Sequence, residues 1–326
     1  MGFVKPLPVS FYFHKKQEEC AVEKALILHM FTPEKNLSPF DVNMALDAGW
    51  VSITPYTRIE LDEIVALVQD AVFSRGPTGV KRTGIFIGGR DVKTAMDMLK
   101  TARTSMVPPF EISVFADPSG AFTTAAAMVA MVERELMKKN GAGLEGMNVL
   151  ALGGTGPVGQ IASVLAAQAG AKVKIIGRQL EKAQTVAALC NAEYGESKTG
   201  IEGDADANKA ELIKTADVVF ATAAAGIEVL SAELVAGAPR LKVAADVNAV
   251  PPSGISGLGP HHKGTPIEGS KSGAVGIGAL AIGNVKYQTH HRMLNLMRYQ
   301  TRKGDKPPYL HFEHAFAAAR EFARKL

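Results

Sequence analysis

Residues 149–177, VLALGGTGPVGQIASVLAAQAGAKVKIIG, constrain the fold more than any other part of this chain of 326 residues. An apolar run ends in a glycine-rich turn, a helix-length segment follows, and a second apolar run closes the unit. Gly154, Gly156 and Gly159 give a G-x-G-x-x-G pattern, which provides a tight turn, a close approach to a pyrophosphate and close packing of helix on strand. The spacing therefore predicts a βαβ unit that binds a dinucleotide at the N-terminus of the helix, where free N–H groups and the helix dipole favour phosphate.

The residues after the second strand indicate which dinucleotide is bound. An Asp or Glu at this place would accept hydrogen bonds from the ribose hydroxyls, but the chain has Gly177, Arg178 and Gln179. A guanidinium here suits a 2′-phosphate, and Lys182, one helical turn further on, offers a second cation. We therefore expect NADP as the cofactor, with weaker use of NAD. A solvated surface role for Arg178 is the alternative interpretation.

Short β-branched runs alternate with helix-length segments along the whole chain, which predicts parallel strands with helical crossovers. Because the length exceeds that of one typical core, we expect an α/β protein of two domains. These are an open parallel α/β N-terminal domain and a Rossmann-like NADP-binding domain, with a cleft between them. The predicted ranges are an N-terminal arm over 1–24, a first domain over 25–125 completed by a C-terminal helix over 290–326, and a Rossmann domain over 126–289.

Composition excludes several classes of partner. A formal net charge of +4 without runs of Lys and Arg argues against nucleic acid, and no apolar run approaches the roughly 20 residues of a membrane span. Two cysteines without close spacing favour a reducing compartment, so we expect a cytoplasmic protein. The histidine pairs 261–262 and 290–291 are expected in loops or on the surface, with no metal site.

Two further groups of residues suggest the rest of a cleft. Asp117, Ser119, Thr123 and Thr124 lie at a strand-to-helix junction, where ligands bind in open α/β sheets, although N-capping alone would explain one or two of them. The segment VGIGALAIGNVK, residues 275–286, is expected to be a loop whose glycines let the main chain approach the nicotinamide ring. The expected cofactor-binding residues are Gly154, Thr155, Gly156, Pro157, Val158, Gly159, Arg178, Lys182, Ala223, Asn248, Gly278 and Ala279.

Several stretches together resemble the NAD(P)-dependent methylene-tetrahydromethanopterin dehydrogenases of methylotrophic bacteria, across about residues 25–326. They are ILHMFTPEKNLSPFDVNMALDAG, GIFIGGRD, VFADPSGAFTTAAAMVA, GGTGPVGQ, DVNAVPPSGI and VGIGALAIGNVKYQ. The chain is most similar to the B-type enzyme of this family, whereas the Gly-Arg pair looks more like the NADP-restricted A-type. The N-terminal arm departs from the family pattern.

The resemblance implies oxidation of the methylene bridge of a tetrahydropterin to a methenyl cation, by hydride transfer to the nicotinamide, in one-carbon metabolism. It implies a pterin-side domain and a Rossmann domain with the active site between them, and a homo-oligomer, with a trimer suggested. It also assigns a functionally important lysine to Lys286, with a helix-capping or surface lysine as the alternative.

The chemistry of the reaction points to further candidates. Because two nitrogens flank the reacting carbon and stabilise the cation, no proton needs to be abstracted, and the main task of the protein is positioning. Carboxylates are expected to stabilise the developing positive charge or bind the pterin amino groups. Asp41 alternatively favours the dipole of its own helix. The expected catalytic residues are Lys286, Asp41, Asp117 and Thr124, and the expected substrate-binding residues are Asp47, Ser119 and Thr123.

Two other functions stay open at this point. A methylene-tetrahydrofolate dehydrogenase performs the same chemistry on a related pterin. A non-catalytic NADP-binding sensor or scaffold would keep the glycine turn and Arg178, but it would not need the DPSGAFTT and IGNVK stretches.

Overall fold

Two sheets, one parallel and one mainly parallel, organise the part of the chain that the computed structural model describes, residues 23–195, 199–298 and 306–326. Nearly all of the expected N-terminal arm lies outside these residues. The first sheet has the order β2-β1-β3-β4-β12, and all its strands are parallel. Its strands are β1 (Ile27–Thr32), β2 (Ser52–Thr57), β3 (Thr83–Ile87), β4 (Ser113–Ala116) and β12 (Tyr309–Leu310). Its connecting helices are α1 (Pro39–Asp47), α2 (Ile64–Phe73), α3 (Gly76–Gly79) and α4 (Val92–Thr104).

The second sheet has the order β7-β6-β5-β8-β9-β11-β10. Its strands are β5 (Asn148–Leu152), β6 (Lys172–Gly177), β7 (Glu202–Ala205), β8 (Val218–Ala221), β9 (Val243–Asp246), β10 (Lys263–Pro266) and β11 (Val275–Ile277). Its helices are α6 (Pro157–Gln168), α7 (Leu180–Leu189), α8 (Lys209–Leu212) and α9 (Ala232–Ala236). Only β10 is antiparallel to its neighbour. The strand order reverses beside β5, which is the switch point at which doubly wound sheets bind ligands. The predicted α/β class is confirmed.

Three long helices pack against one another: α5 (Ala121–Asn140), α10 (Ala279–Leu296) and α11 (Phe312–Arg324). Helix α5 packs on α6, α10 and α11, and its apolar residues are almost completely buried over its first three turns. A helix that is apolar on most of its faces needs partners all round, which explains its place in the middle of the molecule. None of the helices in the described ranges combines the length and the apolar character that crossing a membrane requires.

The structure corrects two predictions about elements. The range 290–326 is not one helix, because it holds the end of α10, the short strand β12 and the separate helix α11. The range 275–286 is not a loop, because β11 runs into α10 through Gly278. A side chain at Gly278 would lie 2.2 Å from the carbonyl oxygen of Gly259, so this glycine serves contact between two chain segments. The domain boundaries themselves stay a prediction.

Candidate active site

A cavity of about 540 Å³ opens at the carboxyl ends of the strands in the first sheet. Its walls come from the segment after β1, the Gly88-Gly89 turn after β3, the junction between β4 and α5, and one residue of α10, Lys286. Ligands of open α/β sheets bind at this edge, and the volume is typical of sites for small molecules. The fold therefore brings residues from four separate parts of the chain to one place.

Besides Lys35 and Arg90, the cavity is lined by the cation Lys286. Its Nζ lies 4.2 Å from the centroid of the Phe40 ring, within the range of a cation–π contact. On the other side stands Gly120, where a Cβ would lie 2.7 Å from the same Nζ. Gly120 also has a φ of +64°, which few other residues adopt, so a side chain at this position is excluded for two reasons.

Besides Glu34, the cavity is lined by the acid Asp41, which lies in the first turn of α1. Its exposed fraction is only 3%, and burial raises its pKa to about 7. The charges of His290 and Lys286 lower this pKa, while the charge of Asp117 raises it, so burial decides the direction. A carboxyl group that titrates near neutral pH in a cavity is typical of a functional site.

Asp117 lies beneath the cavity and is completely buried. Its Oδ1 accepts from the backbone N–H groups of Phe122 and Thr123, at 2.8 and 3.2 Å, and its Oδ2 accepts from the Thr123 hydroxyl at 2.7 Å. Burial favours a higher pKa for Asp117, but contacts with His290, Lys286 and Thr123 outweigh it and lower that pKa. Asp117 and Thr123 therefore hold the start of α5, and neither lines the cavity.

The sequence did not indicate that His290 belongs to this region. It was expected in a loop or on the surface, but it is fully buried in α10, one helical turn after Lys286. Its ring packs on those of Phe40, Phe86 and Phe115, with centroids 5.5 to 5.9 Å apart. The i, i+4 spacing from Lys286 was the available signal, because it places both side chains on one helix face.

His290 and Asp117 form a buried contact in this region. Nδ1 of His290 lies 3.2 Å from Oδ2 of Asp117, although the ring N–H is not aligned for a hydrogen bond. The contact links α10 to the start of α5, directly below Lys286.

Of the other residues predicted in the first domain, Ser119 lines the cavity, whereas Thr124 and Asp47 do not. Ser119 lines the cavity with a φ of +53°, and its hydroxyl donates to the carbonyl of Gly89 at 2.9 Å. The Thr124 hydroxyl donates to the carbonyl of Gly120 at 2.7 Å, inside the first turn of α5. Asp47 is exposed at the C-terminal end of α1, whereas the cavity is at the N-terminal end.

A second cavity, of about 370 Å³, lies at the carboxyl ends of β5, β6 and β8. Gly153, Thr155 and Gly156 form one wall, and Thr222 and Ala223 form another. The tight turn is made at Gly153, which has a φ of +73° and was not predicted. A Cβ there would lie 2.6 Å from Ala223, so the two walls meet without space for a side chain.

The predicted glycines pack in the manner that a pyrophosphate site requires. A Cβ at Gly154 would lie 2.6 Å from the carbonyl of Ala151, and one at Gly159 would lie 2.5 Å from the Cα of Gly154. A Cβ at Gly156 would have no neighbour closer than 3.5 Å, which leaves room for a ligand on that side. Pro157 and Val158 begin α6, whose N-terminus therefore faces this cavity. These residues fit the pyrophosphate of a dinucleotide.

Arg178 lines the same cavity beyond the glycine turn, but Lys182 does not. Asp206 and Lys209, which the sequence did not indicate, line it instead. Asn248 is buried and fixes its own loop, since its Oδ1 accepts from Val250 N–H at 2.9 Å and its amide donates to the carbonyl of Pro252 at 2.8 Å.

Gly278 and Ala279, at the start of α10, do not line either cavity. Among the described residues, no group of three or more His, Cys, Asp or Glu side chains is placed to hold a metal ion.

Comparisons with known proteins find relatives of this chain by sequence and by structure. A family described as methylene-tetrahydromethanopterin dehydrogenase, N-terminal, matches residues 39–119. An NAD(P)-dependent methylenetetrahydromethanopterin dehydrogenase of Methylorubrum extorquens is 43% identical over 298 residues, which cover 91% of this chain and 98% of the relative. Bifunctional protein MdtA of the same organism is 34% identical over 264 residues, 81% of this chain and 89% of that protein. Among solved structures, shikimate 5-dehydrogenase of Listeria monocytogenes has a TM-score of 0.48 and 12% identity, covering 92% of this chain and 96% of that one.

Proposed function

Since the chain belongs to the family of NAD(P)-dependent methylenetetrahydromethanopterin dehydrogenases, we propose that it oxidises 5,10-methylene-tetrahydromethanopterin to the methenyl form with NADP. The observation that carries this proposal is the 43% identity to a relative of that name over 98% of its length. The two cavities support it, because one fits a dinucleotide and the other combines a cation, an aromatic ring and a buried acid.

NADP, when bound, supplies the nicotinamide that accepts the hydride. The Gly153–Gly156 turn and the N-terminus of α6 would hold its pyrophosphate, and Arg178 would bind the 2′-phosphate. NAD lacks this phosphate and is the weaker cofactor.

Asp41 is the group that favours the oxidised product. Loss of hydride leaves a positive charge shared by the carbon and its two nitrogens, and a nearby carboxylate stabilises that charge. Asp41 is ionised only from about neutral pH upward, because its pKa is raised to about 7. In the buried site this charge acts without competition from water, so its effect on the transition state is large.

Lys286 orients the substrate. Its ammonium is held between the Phe40 ring and Gly120, and it can donate hydrogen bonds to a pterin carbonyl. The repulsion that a cation exerts on the product is offset by Asp41, which lines the same cavity. The contact of His290 with Asp117 fixes the helix that carries Lys286.

The same proposal includes a cytoplasmic homo-oligomer, with a trimer as the expected assembly, that takes part in the one-carbon metabolism of a methylotroph. The pterin is its partner, and nucleic acid and membrane are not. These features follow from composition and from the family resemblance.

A steady-state assay of NADPH formation tests the proposal. The purified full-length chain is given methylene-tetrahydromethanopterin or methylene-tetrahydrofolate, each with NADP or NAD. We expect the tetrahydromethanopterin substrate to be oxidised, with kcat/KM at least about tenfold higher for NADP than for NAD. Oxidation of the folate substrate alone would change the substrate assignment. Absence of oxidation with both pterins would contradict the proposed activity and favour a non-catalytic NADP-binding role.

A further inference from the structure

The cavity beside Arg178 has a charged end built by two neighbouring strands. Strands β6 and β7 are parallel, and Gly177 is paired with Ala205. The residues that follow this pair, Arg178 and Asp206, therefore leave the sheet side by side at its carboxyl edge. Both line the cavity, together with Lys209, which follows Asp206 by three residues.

Lys209 is held in place more firmly than a typical surface lysine. Its side chain is only 17% exposed, and its Nζ lies 3.0 Å from Oδ1 of Asp206. The turn that carries both residues is closed by Asp204, whose Oδ1 accepts from the Asn208 amide at 2.7 Å. An ammonium group fixed in this way loses little further side-chain entropy when it binds an anion.

Lys182 is in a different position. It is exposed on α7 and does not line the cavity, although it is one helical turn after Arg178. Lys182 was expected to be the second cation because it follows Arg178 closely in the sequence. The pairing of β6 with β7 in the sheet instead places Lys209 at the cavity.

Asp206 places a negative charge in the same end of the cavity. Its side chain is 48% exposed, and Lys209 neutralises it in part. A carboxylate accepts a hydrogen bond from a ribose 2′-hydroxyl, but it repels a 2′-phosphate. Glu228, the other carboxylate of this cavity, follows β8, and β5 separates that strand from β6.

We propose that Lys209, with Arg178, binds the 2′-phosphate of NADP, and that Asp206 is the group that keeps NAD acceptable. This subsite assignment rests on the proposed function for the use of NADP. The cofactor preference then depends on the balance among one guanidinium, one ammonium and one carboxylate at the ends of two adjacent strands.

Direct binding tests the subsite without the pterin reaction. Calorimetric titration of the full chain compares adenosine 2′,5′-bisphosphate with AMP, which lacks the 2′-phosphate. We expect Lys209→Met to weaken binding of the bisphosphate at least about tenfold and binding of AMP less than about threefold, since methionine keeps the apolar stem. Lys182→Met is the matched control and should change both affinities less than about threefold. Lys209→Arg should restore most of the bisphosphate binding.

Asp206→Asn tests the second half of the proposal. It should raise the preference for the bisphosphate over AMP at least about threefold, because the repulsion is removed. A larger loss of bisphosphate binding in Lys182→Met than in Lys209→Met would overturn the assignment. So would an unchanged preference in Asp206→Asn. If the unchanged chain binds both ligands equally, the subsite alone is wrong; if it binds neither, the proposed cofactor is wrong as well.

Discussion

Replacing Asp41 with asparagine should make the protein more stable above neutral pH. The Asp41 side chain is buried in the wall of the cavity, and no described residue donates a hydrogen bond to its carboxylate. Burial raises its pKa from 3.8 to about 7, against the opposing effect of the His290 and Lys286 charges. The native state therefore holds this proton over a range in which the unfolded chain has already released it.

The pH dependence follows from linkage. Below about pH 4 Asp41 is protonated in both states, so it makes no difference to the free energy of unfolding. Between about pH 4 and pH 7 the native state binds more protons than the unfolded state, and stability falls as the pH rises. The shift of about three pKa units corresponds to about 4 kcal/mol when the loss is complete. The amide that replaces the carboxyl group in Asp41→Asn does not titrate, so this loss is absent from the variant.

Chemical denaturation at several pH values measures this effect. We expect the stability advantage of Asp41→Asn over the unchanged protein to grow by about 3 kcal/mol between about pH 5 and pH 8. Asp47→Asn is the matched control, because Asp47 is exposed at the other end of the same helix, and it should show no such growth. The stabilised Asp41→Asn variant should turn over more slowly. An advantage that is constant with pH would refute the assignment of a buried, proton-holding Asp41.

Three further variants test other parts of the account. Lys286→Ala should lower kcat by about a hundredfold while the affinity for NADP changes less than about threefold, and a normal kcat would remove Lys286 from the site. His290→Asn removes a buried ring that packs on three phenylalanines and contacts Asp117, so denaturant unfolding should show a loss of about 2 kcal/mol; a loss below about 1 kcal/mol would mean that these contacts are unimportant. Gly159→Ala introduces a Cβ about 2.5 Å from the Cα of Gly154, and it should weaken NADP binding at least about tenfold, as measured by titration.

Features set by local sequence could be predicted. The glycine turn, the βαβ unit and Arg178 lie within about 30 consecutive residues, and their geometry depends on backbone freedom and on helix capping. The α/β class could also be predicted, because the alternation of strands and helices is visible in the local sequence. Lys286 and Asp41 were proposed individually, and the structure places both at one cavity.

Features set by tertiary contacts could not be predicted. His290 has polar neighbours in sequence, and only the packing of α10 on three phenylalanine rings makes it a buried residue. Lys209 reaches the cofactor cavity because β7 lies beside β6, which no local pattern specifies. The glycines of residues 275–286 were expected to let the main chain approach the nicotinamide ring. Gly276 and Gly278 pack against the segment 258–260, a tertiary contact that no local pattern specifies.

We expect hydride to pass directly from the methylene carbon of the substrate to the cofactor. Methylene-tetrahydromethanopterin with two deuterium atoms on the bridging carbon tests it, with the position of the label followed by NMR and mass spectrometry. We predict one deuterium on C4 of the nicotinamide in each NADPH formed, one retained on the methenyl carbon and none in water, with a slower single turnover than for the unlabelled substrate. Deuterium in the solvent, or NADPH formed without it, would contradict direct hydride transfer.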